Sequence, residues 1–358
     1  MSVETAAEQR PSGVRWGMIA DDLTGACDAA VAFARQGFDT RVVLATGPRA
    51  ASGAELTVVS TDSRDDPPDV AAAKVSAACL WMRERGITVL FKKIDSVLRG
   101  NIRDEIEAVM ASGGFQSAVM TPAFPAVGRT VKAGELRVYG SKHRAGESLA
   151  TMFSGSSRFL GAPAVKVSDA ETDEDLRAIA RRALRERPVP LLAGSGGLAG
   201  ALAAVLASEQ GRSASEARVP RSSGSSWVVI GTNHPATLAQ VDELRQAASA
   251  PERKQAVMLL TIPAERFEAR TLRPLLDAIH HGEAGSLVVS GGDTARLLCG
   301  AIGAEAIQLG GEVVAGVPWG SIEGGCANGM TIVTKSGGFG GPDALTRVVA
   351  ALRREGEG

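Results

Sequence analysis

Charged and polar side chains crowd the segment from Lys92 to Asn101, which follows the apolar run Val89–Phe91. An arginine in such a segment can clamp a carboxylate through two parallel hydrogen bonds, and a lysine adds a point charge. An aspartate can accept a hydroxyl hydrogen or take a proton as general base. The segment predicts a site for a small hydroxy acid, with a solvated, salt-bridged loop as the alternative. Its polar side chains are Lys92, Lys93, Asp95, Ser96, Arg99 and Asn101.

Two further turns carry residues suited to the same chemistry. Asp21 and Asp22 end an apolar run, and adjacent side chains of an extended segment point to opposite sides. We therefore expect only one carboxylate to face a given ligand, with the second available to cap the helix that follows; the alternative is that both are N-caps. Gly25 lets a ligand approach the backbone of that turn closely. Arg129, after Gly128 in a proline-rich turn, is placed to meet an anion, although a stiff connector explains that turn equally well.

Glycine-rich turns recur in the second half of the chain, at Gly231–Thr237, Ser290–Ala295 and Lys335–Asp343. Backbone N–H groups at such turns and at helix N-termini bind phosphate well. Together the three turns predict a nucleotide site, although each one alone is equally consistent with a plain tight turn. None of them matches the GxxxxGK[ST] phosphate loop or the GxGxxG dinucleotide fingerprint.

The elements that position these turns alternate regularly, since each polar or glycine-rich turn follows an apolar run and precedes a helical segment. Val14–Ala20 and Leu287–Val289 are two such runs. Continuous apolar runs are typical of parallel strands buried on both faces, and their alternation with helices indicates βαβ units. The pattern predicts an α/β fold of two doubly wound, mostly parallel-sheet domains. Ligands of such sheets bind at the carboxyl ends of the strands, where these turns lie.

The segment Gln210–Ser226 predicts the boundary between the two domains. It is rich in Ser, Arg and Gly and lacks apolar periodicity. The chain has 358 residues, which is too long for one ordinary hydrophobic core. We predict an N-terminal domain over residues 1–212 and a C-terminal domain over residues 225–358, with the polar turns facing an interdomain cleft.

The bulk composition argues against several classes of protein. The formal net charge is −1, whereas a general nucleic-acid or membrane-surface binder shows a basic excess. The cysteines lie far apart, without the spacing of a zinc site or a disulfide framework. Met1–Ser12 is polar, and no apolar run reaches the roughly 18 residues of a membrane span. We therefore expect a cytoplasmic enzyme with no nucleic-acid or membrane partner; the sequence leaves a homo-oligomer open.

Several motifs, taken in order over nearly the whole chain, resemble one family, the four-carbon acid sugar kinases. Two of these motifs differ from the family pattern, since Val97 stands where threonine is usual and Gly338 where asparagine is usual. The segment after Arg129 is also shorter than the family pattern. The similar segments are ADDLTGA at Ala20–Ala26, KKIDSVLRGN at Lys92–Asn101, PAFPAVGRT at Pro122–Thr130, SGGDT at Ser290–Thr294, GVPWG at Gly316–Gly320 and KSGGFGG at Lys335–Gly341.

The resemblance implies an ATP-dependent kinase that phosphorylates the terminal hydroxyl of threonate, erythronate or 3-oxo-tetronate. It implies a sugar acid on the N-terminal domain and ATP on the C-terminal domain. Mg²⁺ would bridge two phosphates, and no protein metal ligand is predicted. The catalytic candidates are Asp21, Asp22 and Asp95, with the identity of the base left open. The substrate-binding candidates are Lys92, Lys93, Ser96, Arg99, Asn101 and Arg129. The nucleotide-binding candidates are Thr232, Asn233, His234, Ser290, Gly291, Gly292, Asp293, Thr294, Lys335, Gly337, Gly338 and Gly340.

Three alternatives remain open at the level of sequence. A kinase of the same family could act on another small hydroxy acid. An NAD(P)-dependent dehydrogenase suits the doubly wound pattern, although the first turn lacks a dinucleotide fingerprint. A non-catalytic sugar-acid sensor built on the kinase scaffold is the third.

Overall fold

The computed structural model describes residues 14–44, 53–139, 148–153, 164–215, 217–222, 224–248, 257–262 and 268–353. Strands and helices alternate along it. In the described part, no helix combines the length and the apolar character needed to cross a bilayer.

The first half contains β1 (Trp16–Ala20), α1 (Leu23–Arg35), β2 (Thr40–Val43), β3 (Leu56–Ser60), α2 (Pro68–Glu84), β4 (Thr88–Lys93), α3 (Ile102–Gly113), β5 (Ser117–Thr121), β6 (Arg129–Lys132), β7 (Glu135–Val138), α4 (Leu149–Met152), β8 (Ala164–Val167), α5 (Asp173–Arg185), β9 (Leu191–Gly194) and α6 (Gly196–Glu209). The second half contains β10 (Ser225–Ile230), α7 (Pro235–Ala248), β11 (Val257–Thr261), α8 (Arg273–His280), β12 (Ala284–Ser290), α9 (Gly292–Ile302), β13 (Ala306–Val314), β14 (Val317–Glu323), β15 (Thr331–Lys335) and α10 (Ala344–Leu352).

Most of the described strands form one sheet. Its order is β11-β10-β12-β15-β14-β13-β2-β3-β1-β4-β9-β5-β8, and β6 and β7 form a separate hairpin. The strands from β2 to β8 in this order are all parallel. So are β11, β10, β12 and β15. Antiparallel pairing is confined, within this sheet, to β15–β14, β14–β13 and β13–β2. The predicted α/β class with mostly parallel strands is confirmed.

The two halves are joined by backbone pairing between β2 and β13. Val43 lies opposite Ala306, and Val42 lies opposite Ile307. Val42 and Ile307 are fully buried and belong to one hydrophobic cluster that spans both halves of the chain. The sequence pattern did not predict this joint, because β2 and β13 are separated by most of the chain. No pattern of neighbouring residues indicates that they pair.

The carboxyl ends of the two parallel sets meet in space, although the three antiparallel pairings reverse one set relative to the other. Neighbouring strands rotate by roughly 20–25°, so the steps from β12 to β1 accumulate a rotation of roughly 120–150°. A rotation of this size would largely offset the reversal. A Cβ atom added to Gly292, just after β12, would lie 3.1 Å from Asp22 Oδ2, just after β1. The turns that follow these two strands therefore face each other at close range.

Helix α1 lies beneath this meeting point and packs against α6, α9 and β13. Its buried surface is rich in small residues, among them Ala26, Ala29 and Ala30. Small side chains let neighbouring elements approach closely on several sides. Gly200 of α6 illustrates this, because a Cβ there would already lie 3.8 Å from the Ala32 side chain. Helix α1 thus contacts elements of both halves while its N-terminus points at the meeting point.

We predict that Ile307→Ala lowers the free energy of unfolding by about 2–5 kcal/mol, because it opens a cavity at the joint between the halves. Leu238→Ala is the control, since Leu238 of α7 is 46% exposed and its loss should cost less than about 0.5 kcal/mol. Urea denaturation followed by tryptophan fluorescence measures both. An Ile307→Ala variant as stable as the control would show that this joint contributes little.

Candidate active site

A cleft of about 860 Å³ lies where the two sets of carboxyl ends meet. It is called the cleft below. The predicted residues that line it are Asp22, Lys93, Asp95, Ser96, Arg99, Arg129, Thr232, Asn233, His234, Gly291, Gly292, Asp293, Thr294, Gly337 and Gly338. Those that do not line it are Asp21, Lys92, Asn101, Ser290, Lys335 and Gly340.

The two aspartates at the end of β1 differ in position. Asp22 is the N-cap of α1, where it accepts hydrogen bonds from the Gly25 N–H at 3.2 Å and the Thr24 hydroxyl at 2.9 Å. Asp22 also lines the cleft, whereas Asp21 is buried outside it. Only one of the two carboxylates faces the cleft, as strand alternation implies, but the expected division of the two roles between Asp21 and Asp22 is wrong. One side chain does both, because the N-terminus of α1 itself opens onto the cleft.

Arg64 holds both aspartates, and the sequence reasoning missed it. Its Nε donates to Asp21 at 2.7 Å and its Nη2 donates to Asp22 at 2.6 Å. Burial opposes ionisation of Asp21, but the charges of Arg64 and Lys92 outweigh it and hold the pKa of Asp21 below its usual value. Burial likewise opposes the charge of Arg64, yet Asp22 and Asp21 hold its pKa above the usual value. The available signal was position, since Arg64 follows β3, which is parallel to β1.

Asp95 and Arg99 form a bidentate ion pair at the end of β4. Arg99 Nη2 donates to Asp95 Oδ1 at 2.8 Å and Arg99 Nε donates to Oδ2 at 3.2 Å. The Val97 N–H donates to the same Oδ2 at 3.0 Å. Burial opposes ionisation of Asp95, but the hydrogen bonds and charge of Arg99 hold its pKa well below the usual range. Asp95 is thus a firmly ionised carboxylate, and Arg99, 65% exposed at its side chain, keeps surface open to the cleft.

Arg129 connects the two halves across the cleft. Its Nη1 donates a hydrogen bond to the Ser96 hydroxyl, and its guanidinium lies 5.9 Å from the ring centroid of Phe339. The Phe339 ring lies 6.3 Å from that of Phe124. Burial lowers the pKa of Arg129, and its Nε has no partner among the described residues. A cation with a free buried donor is suited to receive an anionic group.

Lys92 and Lys93 are separated by the alternation of β4. Lys93 lines the cleft. Lys92 points the other way, is fully buried, and pairs with the buried Glu105 of α3 at 2.7 Å. The prediction that Lys92 binds substrate is therefore contradicted by its position. Adjacent strand residues face opposite sides of a sheet, and the sequence alone does not say which of two lysines faces the ligand.

Asn101 is also turned away from the cleft. Its side-chain amide donates to the backbone carbonyls of Asp66 at 2.8 Å and Ser63 at 3.2 Å. The residue therefore holds the turn that carries Arg64, instead of meeting substrate as predicted. Its place at the end of the segment from Lys92 to Asn101 does not predict this contact with carbonyls that lie far away in the sequence.

The glycine turns of the second half form the opposite wall of the cleft. Gly291 has φ 107° and precedes α9, so that the N-terminus of this helix opens onto the cleft. A Cβ on Gly337 would lie 2.9 Å from the Thr232 hydroxyl, and one on Gly338 would lie 3.2 Å from His234 Nε2. A side chain at Gly337 would force its neighbours Thr232 and His234 to shift, whereas one at Gly338 would press only against the His234 ring. Backbone N–H groups and a helix N-terminus are thereby exposed to an anion.

Three predicted nucleotide residues support this wall from behind or lie beside it. Ser290 and Lys335 are fully buried at the ends of β12 and β15. Lys335 Nζ donates to the Thr237 hydroxyl at 3.0 Å and to carbonyls of its own glycine turn, including Phe339 at 3.2 Å. Burial lowers the pKa of Lys335 to about 8. Gly340 lines a neighbouring cavity of about 330 Å³ instead of the cleft. Direct nucleotide contacts of these three residues in the cleft are therefore not supported.

Metal ligands are sparse in the part of the chain that the structure describes. No cluster there brings three or more His, Cys, Asp or Glu side chains together in a way that could hold a metal ion. Asp22 and Asp293 both line the cleft. Mg²⁺ is commonly held by one or two carboxylates, water and substrate phosphates, so a nucleotide-bound Mg²⁺ fits this donor set.

Comparisons with known proteins agree with this division of the cleft. Residues 16–152 match the model of a sugar-binding N-terminal domain, and residues 214–345 match that of a nucleotide-binding C-terminal domain. D-threonate kinase of Bordetella bronchiseptica is 33% identical, over 94% of this chain and 97% of that protein. 3-Oxo-tetronate kinase of Methylobacterium radiotolerans is 29% identical, over 93% of this chain and 98% of that protein. The structure of Haemophilus influenzae protein HI1011 has a TM-score of 0.71 and 21% identity, over 94% and 100% of the two chains, and shares the fold.

The fold and the two walls of the cleft define a two-part α/β protein. One part matches a sugar-binding domain and the other a nucleotide-binding domain. The chain belongs to the four-carbon acid sugar kinase family. The resemblance read from its motifs is confirmed.

We predict that Lys92→Met lowers the free energy of unfolding by about 3–5 kcal/mol, because it leaves Glu105 buried without its partner. The double variant Lys92→Met, Glu105→Leu should recover much of that loss, since it removes both charges. Chemical denaturation of the single and double variants provides the measurement. Unchanged stability of Lys92→Met, together with weakened sugar-acid binding, would instead restore the substrate role.

Proposed function

We propose that this protein transfers the γ-phosphoryl group of ATP to the terminal hydroxyl of a four-carbon sugar acid of the threonate, erythronate or 3-oxo-tetronate type. Family membership supports the kinase class. The main support for the proposal is that two chemically different walls face each other across the cleft, one with charged side chains and one with glycine turns. Gly292, at the N-terminus of α9, lies against Asp22 in one cleft. Phosphoryl transfer needs alignment, charge neutralisation and exclusion of water more than covalent help from the protein.

The sugar acid is proposed to bind the wall of the cleft that the first half of the described chain provides. Lys93, Arg99 and Arg129 supply positive charge along this wall, and all three line the cleft. A guanidinium holds a carboxylate by two parallel hydrogen bonds, and an ammonium adds a point charge. Ser96, already bonded to Arg129, and Asp95 offer hydrogen-bonding partners for the hydroxyls. These residues would fix the carboxylate end of the substrate and turn its far hydroxyl toward the opposite wall.

The nucleotide is proposed to bind the opposite wall, which the second half of the described chain provides. Its phosphates would lie against the backbone N–H groups at Gly291–Thr294 and at the turns carrying Thr232–His234 and Gly337–Gly338. Mg²⁺, when bound with the nucleotide, would neutralise phosphate charge, with Asp22 and Asp293 as the carboxylates within the cleft. The protein's own part is to hold the phosphates and exclude water. A cytoplasmic location and a homo-oligomer stay predictions.

We predict that the purified protein forms ADP from ATP in the presence of D-threonate, D-erythronate or a 3-oxo-tetronate, and that Arg99→Ala raises the KM for that acid at least tenfold. The loss of a charge-assisted contact is the reason, since such contacts contribute about 1.5–3 kcal/mol. Arg177→Ala on α5, which removes a surface pair with Glu174, is the matched control. A coupled ADP assay measures both. Absence of turnover with every acid of this class would contradict the proposed activity.

We also predict that ATP with Mg²⁺ stabilises the protein by about 2.7 kcal/mol at 100 times its dissociation constant. Gly292→Val should abolish this shift, because its side chain would project toward Asp22 Oδ2, which lies 3.1 Å from the Cβ position. Gly300→Val on the same helix is the control, since a Cβ there meets nothing within 4 Å. Thermal unfolding with and without nucleotide gives the result. Equal shifts in both variants would remove the N-terminus of α9 from the nucleotide site.

A further inference from the structure

Asp28 is a cleft residue that neither the motifs nor the comparisons assign. It lies on α1 beyond the Asp22 cap, is mostly buried, and contributes to the lining of the cleft. Gly196, at the N-terminus of α6, comes so close that a Cβ there would lie 2.8 Å from Asp28 Oδ2. Among the described residues, no side chain holds the Asp28 carboxylate in a hydrogen bond or an ion pair. The helix therefore presents to the cleft a carboxylate that no described side chain engages.

The three aspartates predicted as candidate bases are bound differently. Asp21 and Asp22 both accept hydrogen bonds from Arg64, at 2.7 and 2.6 Å. Asp95 accepts a bidentate pair from Arg99. A carboxylate that receives charged donors is stabilised in its ionised form and is a weak proton acceptor. Neighbouring charges hold the pKa of Asp21 and of Asp95 below the usual range, and Asp22 is engaged by Arg64 and as the cap of α1, so a carboxylate without such donors is better suited to proton transfer.

The charges that face Asp28 come from several elements. Lys93 of β4 and Arg129 of β6 favour its ionised form, while Glu312 of β13 and Asp22 at the cap of α1 oppose it. Burial is the largest influence and, with the two carboxylates, raises the pKa of Asp28 to about 7. A carboxyl group with this pKa is half ionised near neutral pH, where a general base works best.

We propose that Asp28 is the catalytic residue that accepts the proton of the attacking hydroxyl. This rests on the proposed kinase function. The substrate oxygen forms a bond to the γ-phosphorus of ATP as the bond from that phosphorus to the β,γ-bridging oxygen breaks. The bonding electrons leave with ADP, and the hydroxyl proton passes to an Asp28 carboxylate oxygen, from which it is later released to water. Lys93 and Arg129, whose charges face Asp28, line the same cleft.

The test compares Asp28→Asn and Asp28→Glu with Asp69→Asn, a matched amide substitution at an exposed position of α2. Asp28→Asn should lower kcat about 100-fold or more, the usual effect of removing a general base, while KM for the acid changes by less than about threefold. Asp28→Glu should retain more activity than Asp28→Asn, because it keeps a carboxylate. Asp69→Asn should match the wild type. An Asp28→Asn enzyme within about threefold of the wild-type kcat would overturn the assignment.

The pH profile separates a proton acceptor from a structural residue. In the wild type, kcat/KM should fall about tenfold per pH unit below about pH 7, since protonated Asp28 cannot accept a proton. That acid limb should be absent from the residual activity of Asp28→Asn. A wild-type profile that is flat from pH 5.5 to 8.5 would also overturn the assignment, even if Asp28→Asn fails to fold.

Failure of this inference is distinguishable from failure of the proposed function. Wild-type protein that shows no ATP-dependent turnover with any four-carbon sugar acid contradicts the kinase function itself. Wild-type turnover combined with an active Asp28→Asn variant, or with a flat profile, contradicts the role of Asp28 alone. The ATP-induced thermal shift of Asp28→Asn should equal that of the wild type, because Asp28 acts on the acceptor hydroxyl and not on nucleotide binding.

Discussion

The cleft depends on the antiparallel pairing of β13 with β2. This pairing joins two parallel sets of strands into one sheet. The turn that carries Gly292 lies against Asp22, so the carboxyl ends of the two sets meet, as the usual twist of a sheet of this width would allow. Without the joint, each set would have its own polar turns and no opposite wall. Because Val42 and Ile307 bury the joint within a shared core, the relative placement of the two walls is fixed by the same packing that stabilises the protein.

The N-terminus of helix α1 lies at the cleft between the two sets of strands. Its small buried residues let α6, α9 and β13 approach it, so the helix lies between the two halves. Asp22 at the first turn and Asp28 further along both reach the cleft from this one helix. Arg64 compensates the paired charges of Asp21 and Asp22, which lets two carboxylates persist side by side in a largely buried position. Asp28 lacks such a partner among the described residues, and this difference is the basis of its proposed role in proton transfer.

Some parts of the fold and the site could be predicted because their cause is local. Apolar runs followed by polar turns predicted parallel strands and the edge of the sheet at which chemistry would lie. The glycines of the second half were predicted to expose backbone N–H groups, and Gly291 and Gly337 do lie in turns where added side chains would meet their neighbours. The α/β class and the family follow from such patterns, since strand periodicity and motif order are properties of short segments.

Other features required the tertiary structure, because they depend on which face of an element meets which partner. Lys92 and Lys93 are adjacent in sequence, yet Glu105 takes one into the core and leaves the other at the cleft. Arg64 became part of the site only through the parallel pairing of β3 with β1. The sequence by itself determined the segments that end strands and carry polar or glycine-rich turns. Only the fold decided how their side chains pair, because long-range packing and charge compensation are not encoded within any one segment.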